Sequence, residues 1–205
     1  AFKISTNGAF TVATSTIAGA TAILNQGTIV LADGAVVQPT VDNRGLLRVA
    51  PGAFAQLRGS FLSVAPSVLD FLGGSALLEV TGHVTNSGLI HLSNPNGETS
   101  VALDVRDGAL TNTAEGRIKT EGQGEARIYA ELHNSGSFEV GTTTTIEEAD
   151  AQHTNTSTGT LSIADAQELR VSLLGAAPTF TNAGTLNVPA TSRLHVSGGA
   201  FLEPD

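Results

Sequence analysis

Glu147, Glu148 and Asp150, followed by Asp165 and Glu168, are the residues of this chain whose types and spacing could do chemistry. Two carboxyl groups on neighbouring turns of a chain can divide the work of acid and base, as glycoside hydrolysis requires. The first three follow the run Thr142-Thr143-Thr144-Thr145 and read as a loop outside any alternating pattern, where solvated charge is the simpler reading. His91 and His195 stand between the apolar members of alternating runs and so face outward, while His83, His133 and His153 sit just before an asparagine. No two histidines share a repeat position with a carboxylate beside them, so no metal set or general base stands out. No glycine-flanked serine elbow follows a strand and opens a helix. Asp33-Gly34 and Asp107-Gly108 are isolated, unlike the regularly spaced aspartates of calcium-binding repeats. Catalytic residues, metal ligands and cofactors are therefore all expected to be absent.

Ligand platforms are sparse as well. The chain has eight Phe, one Tyr and no Trp. Phe10, Phe61, Phe138 and Phe180 fall at inward positions, which leaves Tyr129 as the outward aromatic. Ice-binding solenoids show threonines at matching positions on successive coils, whereas Thr142 to Thr145 are consecutive.

The elements that must position these residues come from one recurring phrase: an apolar residue, a spacer, asparagine, a gap, glycine, then apolar residues at every second position. It reads Val84-Thr85-Asn86-Ser87-Gly88-Leu89-Ile90-His91-Leu92 and again Leu132-His133-Asn134-Ser135-Gly136-Ser137-Phe138-Glu139-Val140. A third copy is Phe180-Thr181-Asn182-Ala183-Gly184-Thr185-Leu186-Asn187-Val188. The asparagines are Asn7, Asn25, Asn43, Asn86, Asn112, Asn134, Asn155 and Asn182, spaced by 18, 18, 43, 26, 22, 21 and 27 residues. The doubled gap points to a degenerate coil between Asn43 and Asn86. The matching glycines are Gly27, Gly45, Gly88, Gly136 and Gly184, with Gly116 and Gly159 two residues further on and Gly8 one residue early. Asparagine tolerates left-handed backbone at tight corners, and stacked copies can form an amide ladder. Glycine takes conformations closed to residues with a Cβ. Asn25, Asn43, Asn86, Asn112, Asn134, Asn155 and Asn182 are thus expected to hold the fold as a ladder.

Alternation after each glycine is the period of a strand with one buried face. It places Ile29, Leu31, Leu47, Val49, Ile90, Leu92, Ile118, Phe138, Val140, Leu161, Ile163, Leu186 and Val188 inward. The outward residues Val30, Arg48, His91, Lys119, Glu139, Ser162 and Asn187 are chemically mixed. A second strand precedes most copies, as in Leu78-Glu79-Val80, Leu103-Asp104-Val105, Ile128-Tyr129-Ala130, Leu169-Arg170-Val171 and Leu194-His195-Val196. Such a period predicts an all-β chain: a right-handed parallel β-helix (β-solenoid) of about nine or ten coils, roughly 18–27 residues each. At ~4.8 Å per coil the rod is about 45 Å long. Residues 1–205 read as a single domain, part of a longer array, with an irregular coil or insertion at 51–77; within that stretch the apolar block Ser60 to Leu72 reads as a degenerate coil rather than a helix.

Composition narrows the partners. Without cysteine the chain has no disulfide and no thiolate chemistry. A net charge of −9, with ten scattered basic residues, makes nucleic acid and anionic lipid poor partners. No apolar run approaches a membrane span and no signal peptide opens the chain. Lacking methionine, even at position 1, the chain reads as an excised piece. The run Val196 to Glu203 resembles the lead-in Val80 to Asn86, with Phe201 in the place of Val84 and Glu203 in that of Asn86. An unfinished coil at Val196 to Asp205 and the start at Ala1 to Val12 are two raw edges. Either neighbouring parts of the parent cover them or copies stack end to end into filaments.

Runs such as Leu78-Glu79-Val80-Thr81-Gly82-His83-Val84-Thr85-Asn86-Ser87-Gly88 resemble the repeats of filamentous-haemagglutinin-type exoproteins and autotransporter passengers. That resemblance implies a parallel β-helix on a bacterial surface or secreted from it, serving as stalk, adhesin, matrix or fibre. Its partners would be other copies or neighbouring repeats, and a host or matrix glycan or protein receptor. The competing expectation is a polysaccharide-active β-helix enzyme, a lyase or hydrolase, with its site in loops 142–168.

Overall fold

Short runs with one apolar face satisfy their backbone groups only by pairing with a neighbouring strand, and a repeated coil supplies that neighbour one turn away. The computed structural model describes residues 1–97 and 99–204. Among them there is no helix, and the strands stack in parallel, each on its equivalent one coil earlier. Three faces enclose the core. The asparagine face runs from Phe2–Ile4 through Ala22–Asn25, Thr40–Asn43 and Val84–Asn86 to Thr179–Asn182 and Ala200–Leu202. The second face follows the glycine corner and holds nine strands, from Ala9–Val12 to Thr185–Asn187. A third face runs from Thr16–Ile17 through Leu77–Thr81 to Arg193–Gly198, so the solenoid makes nine coils and begins a tenth.

Register follows the repeat. Leu78, Leu103 and Ile128 lie side by side on the third face, as do Leu169 and Leu194. Phe201 lies beside Phe180, in the column that holds Val84; Asp205 lies outside the described residues. The expected inward set is buried from Ile29 to Ile163. Leu186 is only partly buried and Val188 is exposed, because no coil stacks beyond theirs on the second face. Phe10 likewise occupies an inward column but lies on the first coil, exposed and packed edge-on against Phe2 at 5.9 Å.

Residues 51–77 hold neither an insertion nor a break. They form a full coil from Phe54–Leu57, Phe61–Ser63 and Val68–Leu72, with Phe61, Leu69 and Phe71 buried. Its ladder position is Ser63, which lies between Asn43 and Asn86. Ser67 stands where other coils have the corner glycine, its hydroxyl 2.7 Å from that of Ser63. At the other end Ile4, not Asn7, lies opposite Asn25, and Asn7 is exposed in a turn.

The amide ladder is present, and its physical basis differs from the corner chemistry expected of the residue types. Asn25 Nδ2 donates to Asn43 Oδ1 at 2.7 Å. Asn86, Asn112, Asn134 and Asn155 donate in turn to Asn112, Asn134, Asn155 and Asn182 at 2.7–2.8 Å. All seven are buried, and none has left-handed backbone. They are the last residues of strands, and their amides also reach backbone carbonyls, as Asn134 does at Gly136 and Thr160. The register glycines do not need positive φ either. A Cβ on Gly136 would lie 2.2 Å from the carbonyl oxygens of Gly116 and Thr113, so close stacking of corner on corner excludes a side chain.

Asn134→Ala removes one acceptor of the Asn112 amide and the ladder donor to the Asn155 carbonyl oxygen, and should cost on the order of 1–3 kcal/mol. Gly136→Ala, which forces backbone apart, should cost about as much by overpacking. Chemical denaturation of both variants checks this. An unchanged midpoint for Asn134→Ala would show that the ladder contributes nothing to stability.

Candidate functional site

The outward residues of the second face form one continuous row along the rod. Val30, Arg48, Asp70, His91, Lys119, Glu139, Ser162 and Asn187 are successive register partners. Asp70, from the coil that looked degenerate, completes it. Its Oδ2 accepts from Arg48 Nε and Nη2 at 3.1 and 3.0 Å, and its Oδ1 lies 3.0 Å from His91 Nδ1. His91 Nε2 lies 2.8 Å from Glu121 Oε1, and Lys119 pairs with Glu121. Arg117 pairs with Glu139 one coil further on. From Arg48 to Glu139 the mixed chemistry of this row is therefore complementary charge, each coil tied to the next.

His91 is the best-placed histidine for chemistry, but both its ring nitrogens are engaged by carboxylates. The Asp70 hydrogen bond, with Glu121 adding to it, raises its pKa above the ordinary 6.5 despite partial burial. Burial works against ionisation of Asp70, yet His91 and Arg48 outweigh it and hold that carboxyl below its usual range. This is a charge-paired staple, with no free lone pair for taking a proton from a substrate.

The five carboxylates that could have formed an acid–base pair are dispersed. Glu147 and Glu148 belong to the strand Thr144–Ala149 rather than a loop, opposite Ser172 and Leu173. Asp150 closes the following turn at φ 57 and accepts from the Ala176 amide at 2.6 Å. Asp165 accepts from the Thr191 hydroxyl, and Glu168 is paired with Arg170 at 2.7 Å. Of the five, Glu148 lines a shallow cleft of about 480 Å³ with Asp104, Arg106, Asp107 and Tyr129. Burial raises its pKa above the ordinary carboxylate value, and Asp104 adds to the effect. Arg106 is held by Asp104 and Glu79 at 3.0–3.1 Å.

The other histidines divide by face. His83 is exposed and accepts from the Ala109 amide at 3.3 Å, and His195 is outward near Glu168. His133 bridges Glu131 and the Thr154 hydroxyl at 2.8 and 2.9 Å. His153 is buried in the core, in the column of Val84, Leu110 and Leu132. Its place in the phrase, two before asparagine, marks that column in the sequence.

Threonines do recur coil by coil, flanking the ladder rather than in the run at 142–145. Thr85, Thr111, His133, Thr154 and Thr181 form one outward column. Ser87, Thr113, Ser135, Thr156 and Ala183 form the next, and their amides extend the parallel ladder by bonding Ser63, Asn86, Asn112, Asn134 and Asn155 carbonyls. The columns are ~4.8 Å apart per coil and roughly 6.7 Å along the chain. Five coils thus present a hydroxyl-bearing strip whose one ionisable member, His133, is paired.

A histidine with a raised folded pKa adds stability that is complete below 6.5 and is lost as pH rises through the folded value. Melting temperature should therefore fall on going from mildly acidic to mildly alkaline buffer, and His91→Gln should flatten that fall. Asp70→Ala should cost on the order of 1–3 kcal/mol, below a fully buried pair because Arg48 keeps contact with water. Thermal melts of the three proteins across pH check both outcomes.

In comparisons with known proteins the chain matches no family model, no curated protein and no solved structure. What it shares with β-helix repeat proteins is the architecture itself, a parallel β-solenoid of nine coils.

Proposed function

We propose that this chain is a structural and adhesive segment of a bacterial cell-surface or secreted exoprotein, a stiff rod that holds a contact face away from its anchor. The observation that carries this reading is the continuity of the rod. The core runs from coil to coil, and the amide ladder does so on both sides of Ser63. The Arg48-to-Glu139 charge row ties neighbouring coils together, so that most side chains that could react are held in ion pairs. The repeats that resemble filamentous-haemagglutinin-type and autotransporter-passenger sequences support the same reading. The natural contact surface is the hydroxyl strip from Thr85 to Thr181, because short β-branched side chains on a rigid ladder lose little freedom on binding. Its partner class is a glycan or protein of a host or matrix surface, with other copies of itself or neighbouring repeats as end-to-end partners.

One observation favours a second reading, a polysaccharide lyase or hydrolase. Glu148 has a raised pKa in an open cleft beside Arg106 and Tyr129, as a general acid requires.

Two assays separate the readings. The purified chain should bind immobilised matrix glycans or proteins. Thr111→Lys with Thr181→Lys, whose hydroxyls make no hydrogen bond among the described residues, should abolish binding without lowering the melting temperature. No binding to any such surface would sink the adhesive part. Release of reducing ends or unsaturated products from acidic polysaccharides, lost in Glu148→Gln, would establish the enzyme instead.

A further inference from the structure

His153 stands where every other complete coil after the first puts an apolar side chain. Its column is Ile23, Val41, Phe61, Val84, Leu110 and Leu132 before it and Phe180 after it, all buried. The imidazole is 1% exposed. Nδ1 accepts from the Leu132 amide at 3.2 Å, and Nε2 is buried with no partner. Because Nδ1 is the acceptor, the ring hydrogen sits on Nε2.

The site coincides with a break in strand pairing. Residues Ala126 to Ile128 pair with Thr144 to Ile146, and pairing resumes with His133 opposite Thr154. From Ile128 to His133 is five steps and from Ile146 to Thr154 is eight, so the later coil carries three extra residues in the seam. Asp150, at φ 57, turns the chain there. The Leu132 amide falls inside this gap, and the His153 ring takes the place of a ladder carbonyl. The seam between the seventh and eighth coils is thus held by a titratable group.

Protonation has to occur on Nδ1, the atom that accepts the Leu132 hydrogen bond. It turns an acceptor into a donor facing a donor, and leaves a buried cation without a counter-charge. On the preceding strand the nearby ionisable groups are Glu131 and His133, which pair with each other at 2.8 Å. The following strand Thr179–Asn182 brings no ionisable side chain. Burial accordingly pushes the His153 pKa down to about 4, with Glu131 opposing and His133 reinforcing the shift. Since the folded value lies below the ordinary 6.5, stability is complete above 6.5 and is lost as pH falls towards 4. This is the opposite sense to His91.

We propose that His153 makes this seam an acid-opened joint, at which the rod loosens between the seventh and eighth coils while the flanking coils stay paired. One proton per opening raises the open population by up to about tenfold per pH unit in that window.

Native-state hydrogen exchange on the whole chain tests the joint, with protection corrected for the intrinsic pH dependence. Acidification from above 6.5 towards 4 should lower protection at Leu132, Thr154 and Asn155 while Leu47 and Ile90 keep theirs. His153→Phe, which restores the residue type of Phe61 and Phe180, should remove the local pH dependence. A ring titration of His153 by NMR serves if that variant folds poorly: a midpoint near 4 accompanied by local loss of protection supports the joint. Parallel loss of protection along the whole rod, an equal local loss in His153→Phe, or a midpoint near 6.5 with protection intact would each overturn it.

Discussion

Everything in this molecule depends on how closely one coil can lie on the next at the corner after asparagine. At Gly136 the place a Cβ would occupy is 2.2 Å from the carbonyls of the coil below. That approach lets the amide of each asparagine reach the next, and it lets neighbouring corner carbonyls accept backbone hydrogen bonds such as Ser137 to Gly116. Buried amides that each donate and accept leave few polar groups unsatisfied, so the ladder can sit inside an otherwise apolar core. Where the pair is lost together, in the coil of Ser63 and Ser67, the two hydroxyls bond each other and the stack continues.

The same stacking governs the surface. Outward side chains on adjacent coils are brought within hydrogen-bonding reach whatever their distance in sequence, so charges become rows rather than clusters. Asp70 and His91 are 21 residues apart and lie 3.0 Å from each other. A row of this kind favours pairing across coils, which is why acidic and basic residues here stabilise the rod more than they form a pocket. The two histidines with opposite shifts follow from one geometry. His91 lies outside the sheet between carboxylates and gains from its proton, whereas His153 lies inside among apolar neighbours and loses by it.

Much of the architecture was legible from period alone. Strand alternation, coil number and the asparagine–glycine phrase require only local preferences repeated at a near-constant interval, and the buried set from Ile29 to Ile163 follows from them. The reason for the phrase was not legible. Residue types pointed to left-handed corners, while the asparagines are extended and the glycines are selected by contact with another coil, which no local rule contains. The apolar block at 60–72 hid its register because serine replaces asparagine and glycine at once.

For the candidate site the division is sharper. Residue types and their order determined that this chain repeats, that its faces alternate, and which side chains carry charge. The coil-to-coil register, set by loops of unequal length, decided which of them meet. It brought Asp70 to His91, took Glu147 and Glu148 into a strand, aligned Thr85 with Thr111, and left the Leu132 amide to the ring of His153. Contacts across some twenty residues depend on insertions at corners, and those insertions carry no periodic signal of their own.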